Sequence, residues 1–228
     1  MAAEYIQHMR NVQPHGPYFL GGYSLGSHVA FAMALQLTQE GEEVALLAQI
    51  DAGPRMALDA NQSLIDFCKD LTASYPQLGP LVDEIAQVPA SSQLEYVLEK
   101  VCSALPSAVS SQVLKIAPAW HGNSRAAERF MAKLFENPQS YRYHGRITLF
   151  RAKDREDVIA EGIATIDGEV ADPQSSKGWS NFTSQPVELH WIPGTHETCL
   201  KEPNVKFLAR ELMSCVAGSS ASYATANG

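Results

Sequence analysis

The sequence predicts an α/β protein with a mostly parallel sheet, and two observations lead to this prediction. Short apolar runs of strand length alternate with helical patterns near both ends of the 228-residue chain. The stretch of about 57–140 instead holds helical patterns at 63–75, 92–105 and 126–137, separated by prolines. We therefore expect one domain over 1–216, with helices on both faces of the sheet and a helical insertion at about 57–140.

The first fifty residues predict a strand–helix–strand unit that follows an N-terminal helix. Residues 2–12 carry apolar side chains at helical spacing, and residues 18–23 form a short apolar strand. Residues 27–41 are apolar around most of a helical circumference and end in a glycine, which is typical of a buried helix. Residues 44–50 are almost wholly apolar, as expected for a parallel strand covered on both faces.

The α/β pattern returns after the helical insertion. Residues 146–152 and 187–192 read as strands, and residues 204–216 as a closing amphipathic helix. The last residues, 217–228, are small and polar, so we predict a disordered tail there.

Composition excludes several classes of function. The net charge of −8 without a basic stripe argues against a nucleic-acid partner. No apolar run approaches the roughly 18–20 residues that span a membrane, and the N-terminus lacks a signal peptide. We therefore expect a cytoplasmic protein. The four cysteines show neither C-x-x-C pairs nor metal spacing, so we expect reduced thiols and no metal site: Cys68, Cys102, Cys199 and Cys215.

The segment Gly22–Gly26 has the form G-x-S-x-G, with Ser24 at its centre. This pattern is weak alone, because a strand-to-helix turn also favours small residues. A predicted strand before it and a buried helix after it match the context of a nucleophile on a strained turn, whose flanking glycines avoid clashes. Ser24 is therefore the candidate nucleophile, and the backbone N–H of Leu25 is a candidate oxyanion donor.

A serine nucleophile needs a base and a group that orients the base. Among seven histidines, His196 follows the last predicted strand in a Pro-Gly turn, where catalytic groups of parallel sheets gather. His190 lies within that strand and His28 within the helix after Ser24, so we expect both to be packing or surface residues.

Two aspartates fit the orienting role. Asp51 ends the strand after the nucleophile helix, and Asp154 follows the next strand, with Asp157 as a weaker choice. Both lie between Ser24 and His196, in the order Ser, acid, His of α/β-hydrolases. Position alone does not separate Asp51 from Asp154.

The segments "GPYFLGGYSLGSHVAFAMALQLTQEGEEVALLAQID" and "GWSNFTSQPVELHWIPGTHETCLKEPNVKFLARELM" resemble the thioesterase domains of polyketide synthases, non-ribosomal peptide synthetases and fatty acid synthase. The resemblance covers both ends of the chain, and the middle matches only in helical character. It implies the α/β-hydrolase fold and favours Asp51 as the acid of a Ser-His-Asp triad.

The resemblance also implies a function in secondary metabolite biosynthesis. Ser24 would accept a chain from the phosphopantetheine arm of an acyl or peptidyl carrier protein, and hydrolysis or cyclisation would release it. The arm belongs to the carrier, so no cofactor or metal bound by this chain is implied. The helical insertion would be a lid over the acyl pocket.

The chain departs from the family pattern in three places. Ser27 replaces a second glycine and Ala32 replaces a glutamate, and neither change affects the triad. The family also has roughly sixty residues before the segment that begins here. An N-terminally truncated domain would lack strands and one oxyanion donor, and its uncovered sheet edge could support an oligomer.

Two rival functions stay open at this stage. A general α/β-hydrolase esterase would more often place its acid near Asp154. A truncated domain could also keep the triad residues and serve as an inactive thioesterase-like scaffold.

Overall fold

The computed structural model describes residues 1–54, 60–154 and 176–226. The chain divides into two compact units, one formed by Met1–Pro54 with Glu136–Gly228 and the other by Arg55–Phe135. In chain order the helices and strands are α1 (Ala2–Val12), β1 (Tyr18–Tyr23), α2 (Leu25–Gln39), β2 (Val44–Ile50), α3 (Ala60–Ser74), α4 (Leu81–Ile85), α5 (Gln93–Ala104), α6 (Ser107–Glu136), β3 (Ile147–Ala152), β4 (Glu188–Ile192) and α7 (Asn204–Ala226).

The first unit contains a four-stranded sheet in the order β1-β2-β3-β4, and all neighbouring strands are parallel. The strands match those predicted from the apolar runs, with β3 and β4 each beginning one residue later. Among the described residues, β1 pairs only with β2 and so lies at the sheet edge.

Strand β2 shows why its sequence is almost wholly apolar. Leu46 and Ala48 belong to a buried cluster with Phe150, Ile192 and Leu208 of α7. Because successive side chains of a strand point to opposite faces, Leu47 and Gln49 face the other side, where they are equally buried. Both faces of the strand are therefore covered, as the sequence predicts.

Helix α2 packs against β1 and β2 and is buried around much of its circumference. The helix ends just before Gly41, the predicted stop residue, whose φ of 82° is a conformation that favours glycine. Helix α1 packs on α2, and the Arg10–Glu40 ion pair (2.7 Å) joins the two. The N-terminal strand–helix–strand unit therefore forms as its pattern indicates.

The second unit consists of helices that surround their own apolar core. That core includes Leu64, Leu81, Val97 and Val101, all almost fully buried. Its range, Arg55–Phe135, lies close to the predicted insertion. Its role as a lid stays a prediction.

Helix α6 corrects one expectation, because it runs for 30 residues through Pro118, which we expected to separate helical pieces. Pro118 is exposed, whereas Val113, Ala117 and His121 on the other face are buried at helical spacing. Burial of one continuous face outweighs the hydrogen bond that proline removes.

Helix α7 corrects the prediction for the C-terminus, since it continues to Ala226 where we expected a disordered tail over 217–228. Alanine has the highest helix propensity, and the segment contains no proline to stop the helix. In the part of the chain that the structure describes, no helix combines the length and apolar character needed to cross a membrane.

Candidate active site

Ser24 lies in a strained turn between β1 and α2. Its φ of 52° and ψ of −122° place it in a conformation that side chains rarely adopt. A Cβ atom on Gly22 would overlap the Gly26 backbone, so the first glycine of the motif is required. Ser27, in place of the second family glycine, donates a hydrogen bond of 2.7 Å from Oγ to the Gly22 carbonyl and braces the turn.

Gly26 differs from what the motif predicts. A Cβ atom built there would meet nothing within 4 Å. A side chain would therefore clash at Gly22 but not at Gly26, although we expected a clash at both flanking glycines.

The parallel register brings the strand ends together at one edge of the sheet. Tyr23 pairs with Ile50, and Ile50 pairs with Phe150. Just beyond, the Ser24 N–H donates to the Ile50 carbonyl (3.4 Å) and the Asp51 N–H donates to the Phe150 carbonyl (2.7 Å). Ser24 and Asp51 therefore follow neighbouring strands at the edge where ligands bind in such sheets.

His196 lies in the loop after β4, and side chains hold that loop. The Gly194 N–H donates to Asp154 Oδ2 (2.7 Å), and the Thr195 N–H donates to Thr198 Oγ1 (2.8 Å). Gly194 has a φ of 93°, and a Cβ atom there would overlap the Asn204 side chain. These contacts fix the Pro-Gly turn that the sequence placed before His196.

The structure joins Asp51 and His196 directly. His196 Nδ1 lies 3.0 Å from Asp51 Oδ2. Because an ionised carboxylate can only accept, Nδ1 carries the proton and donates it. This tautomer leaves Nε2 as the ring nitrogen with a free electron pair, which a general base requires.

Asp51 is held as a carboxylate although its side chain is only 6% exposed. Burial raises the pKa of Asp51, but the hydrogen bond from His196, the charge and hydrogen bond of Lys177 and the Ala152 N–H together outweigh burial and lower this pKa below its ordinary value. Lys177 Nζ lies 2.8 Å and the Ala152 nitrogen 3.1 Å from Asp51 Oδ1. One carboxylate oxygen thus faces His196, and the other is held in place.

Backbone strain is concentrated at this edge of the sheet. In the described part of the chain, the non-glycine residues with positive φ are Ser24, Asp51 and Lys177. Such conformations are costly and persist where surrounding contacts enforce them, often at functional sites.

Tyr23, which precedes Ser24, contacts the loop of His196. Its ring stacks on His196 with centroids 4.8 Å apart, and its hydroxyl donates to the His196 carbonyl. Burial raises the pKa of Tyr23 to about 12, so this hydroxyl stays protonated and able to donate. Leu25 is the first residue of α2, where backbone N–H groups have no partner within the helix.

The remaining predicted candidates have other environments. Asp154 contacts the loop of His196 through Gly194. Asp157 lies outside the described residues. His28 is buried on α2 with Nε2 3.2 Å from the Gly53 carbonyl oxygen, and His190 lies half-buried on β4.

Sequence reasoning did not identify Lys177 or Trp179 as site residues. Trp179 Nε1 donates to the Ala52 carbonyl (2.8 Å) and so fixes the segment after Asp51. The Gly-Trp pair of the family pattern was a signal for Trp179. Lys177 immediately precedes that pair, but one lysine in a polar segment carries no such signal.

Comparison with known proteins identifies the family. Residues 1–213 match the thioesterase domain family. The chain belongs to this family. The thioesterase domain is 28% identical over 221 residues to chondramide synthase cmdD of Chondromyces crocatus. It is 30% identical over 205 residues to the dimodular nonribosomal peptide synthase of Bacillus subtilis (strain 168).

These matches cover 90% and 89% of this chain but only 5% and 8% of the two relatives. Among solved structures, the thioesterase domain is similar to the four-domain nonribosomal peptide synthetase holo-AB3403 (TM-score 0.59, 23% identity, 93% of this chain and 15% of that chain). It is also similar to the NocB thioesterase domain complexed with a fluorophosphonate (TM-score 0.54, 20% identity, 95% and 74%). The fold is that of the α/β-hydrolases, as the resemblance implies.

Proposed function

We propose that this thioesterase domain releases an acyl, polyketide or peptidyl chain from a carrier protein through an acyl-enzyme on Ser24. The observation that carries this proposal is the hydrogen bond between His196 Nδ1 and the buried Asp51 carboxylate, at the sheet edge where Ser24 turns into α2. The match to the thioesterase domain family supports the proposal, and so does the fact that the relatives are synthases.

In the first half-reaction, His196 Nε2 takes the Ser24 hydroxyl proton as Oγ attacks the thioester carbonyl carbon. Asp51 holds the ring orientation and stabilises the imidazolium that forms. The Leu25 N–H is one donor to the oxyanion. When the carbon–sulfur bond breaks, His196 returns the proton to the leaving thiol, and the acyl chain remains on Ser24.

In the second half-reaction, water or a nucleophile of the acyl chain attacks the ester carbon. His196 takes the proton of this nucleophile and then gives it to Ser24 Oγ. Water yields a free acid, whereas an internal hydroxyl, amine or carbon nucleophile yields a ring. The geometry serves both outcomes, because the same base activates either nucleophile.

The proposed partner is an acyl or peptidyl carrier protein with its phosphopantetheine arm. The relatives are multidomain synthases of which this chain matches a small part, which is consistent with a substrate delivered by another domain. The thiol of the arm is then the leaving group, and the reaction requires no group bound by this chain.

Reaction with a fluorophosphonate tests whether Ser24 is activated. The NocB thioesterase domain forms a covalent complex with a fluorophosphonate nocardicin G analogue. We expect intact-mass and peptide analysis to show one adduct on Ser24, absent from Ser24→Ala and retained in the exposed control Ser111→Ala. An unlabelled wild-type protein would favour the inactive scaffold.

Substrate class is tested with one acyl group presented as a pantetheine thioester and as a simple oxygen ester. A thioesterase is expected to turn over the thioester with a higher kcat/KM. A preference for the oxygen ester, with normal labelling of Ser24, would instead favour a general esterase.

A further inference from the structure

A second cluster of reactive side chains lies on β4 and α7, outside the proposed triad. Glu188 and His190 are two residues apart on β4, so their side chains share one face of the strand. Glu211 and Cys215 are four residues apart on α7, so they share one face of the helix. These two faces meet, and the four side chains form what we term the β4–α7 cluster.

Three potential metal ligands of this cluster converge. His190 Nε2 lies 3.1 Å from Glu188 Oε1 and 3.6 Å from Cys215 Sγ. The three atoms all lie within 4.8 Å of one another. Zinc bonds of about 2.3 Å to sulfur and about 2.0–2.1 Å to nitrogen or oxygen separate tetrahedral ligand atoms by about 3.3–3.6 Å. The two separations from His190 Nε2, 3.1 Å to oxygen and 3.6 Å to sulfur, are close to those values.

One hydrogen bridges His190 Nε2 to only one of its two neighbours, because either Nε2–H donates to Glu188 Oε1 or the Cys215 thiol donates to Nε2. A cation can contact all three atoms at once, because it accepts an electron pair from sulfur, nitrogen and oxygen.

The surroundings match those of a bound metal ligand. His190 Nδ1 lies 3.7 Å from Glu211 Oε2, beyond hydrogen-bond distance but on the side of the ring where a carboxylate orients many metal-binding histidines. Glu188 Oε2 lies 3.4 Å from Thr148 Oγ1 and 3.5 Å from an Arg146 guanidinium nitrogen, so Oε1 is the oxygen that faces His190. The His190 ring stacks on Phe150 with centroids 5.1 Å apart, which fixes its plane.

We propose that Glu188, His190 and Cys215 form a zinc site that joins β4 to α7. One sulfur, one nitrogen and one oxygen ligand suit Zn²⁺ and exclude Mg²⁺ and Ca²⁺, which prefer oxygen ligands alone. Sequence spacing predicted no metal, because the fold brings these ligands together from two separate elements. The site would fasten the C-terminal helix to the last strand.

Burial and the negative charges of Glu188 and Glu211 raise the pKa of Cys215. The thiol of the metal-free protein is therefore protonated at neutral pH, and Zn²⁺ bound to sulfur displaces this proton. Anionic neighbours that disfavour a thiolate also attract the cation that replaces the proton.

Titration of the metal-free protein with Zn²⁺ and with Co²⁺ tests this site. We expect about one ion per chain, with a sulfur-to-cobalt charge-transfer band for Co²⁺. Cys215→Ser and His190→Gln should each weaken zinc binding by at least about a hundredfold, and Glu211→Gln by roughly tenfold. The matched control Cys102→Ser, at an exposed cysteine of α5, should bind zinc like the wild type.

Alkylation of the wild-type protein keeps the test decisive if a variant fails to fold. Zinc should slow modification of Cys215 by N-ethylmaleimide at least about tenfold, while modification of Cys102 keeps its rate, as peptide mass spectrometry would show. The proposal is overturned if the wild type binds no zinc, if Co²⁺ gives no thiolate band, or if zinc leaves the alkylation of Cys215 unchanged.

Discussion

Two histidines, His190 and His196, lie six residues apart and both present Nδ1 to a carboxylate. His196 Nδ1 lies 3.0 Å from Asp51, whereas His190 Nδ1 lies 3.7 Å from Glu211. In the first environment the carboxylate is almost fully buried and joined by Lys177. In the second, Glu211 is 30% exposed and the opposite ring nitrogen faces Glu188 and Cys215.

The difference shows how surroundings decide the chemistry of an imidazole. His196 follows a strand at the edge of the sheet, near residues with strained backbone. His190 lies within the regular ladder of β4, paired with Phe150. At the strained edge, the His196 ring contacts one carboxylate, whereas β4 and α7 place several electron-pair donors around the His190 ring.

The largest expected effect tests which carboxylate orients His196. Asp51→Asn should lower kcat roughly 10⁴-fold, because the amide no longer holds the required tautomer. Asp154→Asn should lower kcat by about tenfold at most, because its side chain contacts the loop through Gly194 and the amide oxygen can still accept. Turnover of the pantetheine thioester measures both.

Asp83→Asn, at an exposed position on α4, is the matched control for this pair of variants. Asp51→Asn should also keep the wild-type zinc affinity, because Asp51 is not part of the β4–α7 cluster. A loss of turnover confined to Asp154→Asn would contradict the assignment of Asp51.

A smaller effect is expected at Lys177, which positions Asp51. Lys177→Met should lower kcat/KM by up to about a hundredfold, because the carboxylate loses the donor that fixes Oδ1. Lys177→Arg, which keeps the charge, should recover part of this loss. Equal activity of the Met and wild-type proteins would show that Lys177 plays no part in positioning.

The same variant has a pH signature. The pKa of Asp51 is held below its ordinary value of 3.8, so its carboxylate stabilises the folded protein above that pH, and the benefit is lost as pH falls through the lowered pKa. The stability difference between wild type and Lys177→Met should therefore be full at neutral pH and shrink below about pH 4. Urea unfolding at several pH values measures it.

The smallest effects test the space around the two glycines that flank Ser24. Gly22→Ala should destabilise the fold by about 1–3 kcal/mol, because its Cβ would overlap Gly26. Gly26→Ala should stabilise it by about 0.5–1 kcal/mol, since the new methyl group meets open space within a helix. Thermal unfolding of both variants checks this contrast, and equal destabilisation would contradict the asymmetry of the motif.

Periodicity predicted the sheet well, because central parallel strands such as β2 and β3 are covered on both faces and require apolar runs that few other structures need. Chain order admitted both Asp51 and Asp154, family resemblance favoured Asp51, and the structure places Asp51 beside His196. Helix α6 through Pro118 and the extension of α7 to Ala226 were missed. A proline predicts a helix break and small polar residues predict disorder, but neither signal shows whether packing or helix propensity will outweigh it in the folded protein.

The sequence did not indicate Lys177 or the β4–α7 cluster, because both depend on contacts between residues far apart in the chain. Lys177 is 126 residues from Asp51, and Cys215 is 25 residues from His190 on a different element. A sequence motif can indicate a site only when its residues recur at a fixed spacing within one segment of the chain. A lysine that holds a carboxylate, or a cysteine that faces a strand, acquires its partner only when the fold is complete.

The hydrogen bonds that hold the loop of His196 also affect how this loop can move. Its Gly194 and Thr195 amides donate to Asp154 and Thr198, and its His196 carbonyl accepts from Tyr23. Their hydrogen-bond partners are side chains rather than a neighbouring strand. The Gly194 and Thr195 amide hydrogens should therefore exchange with solvent slowly, and any opening that exposes them would move His196 together with the loop.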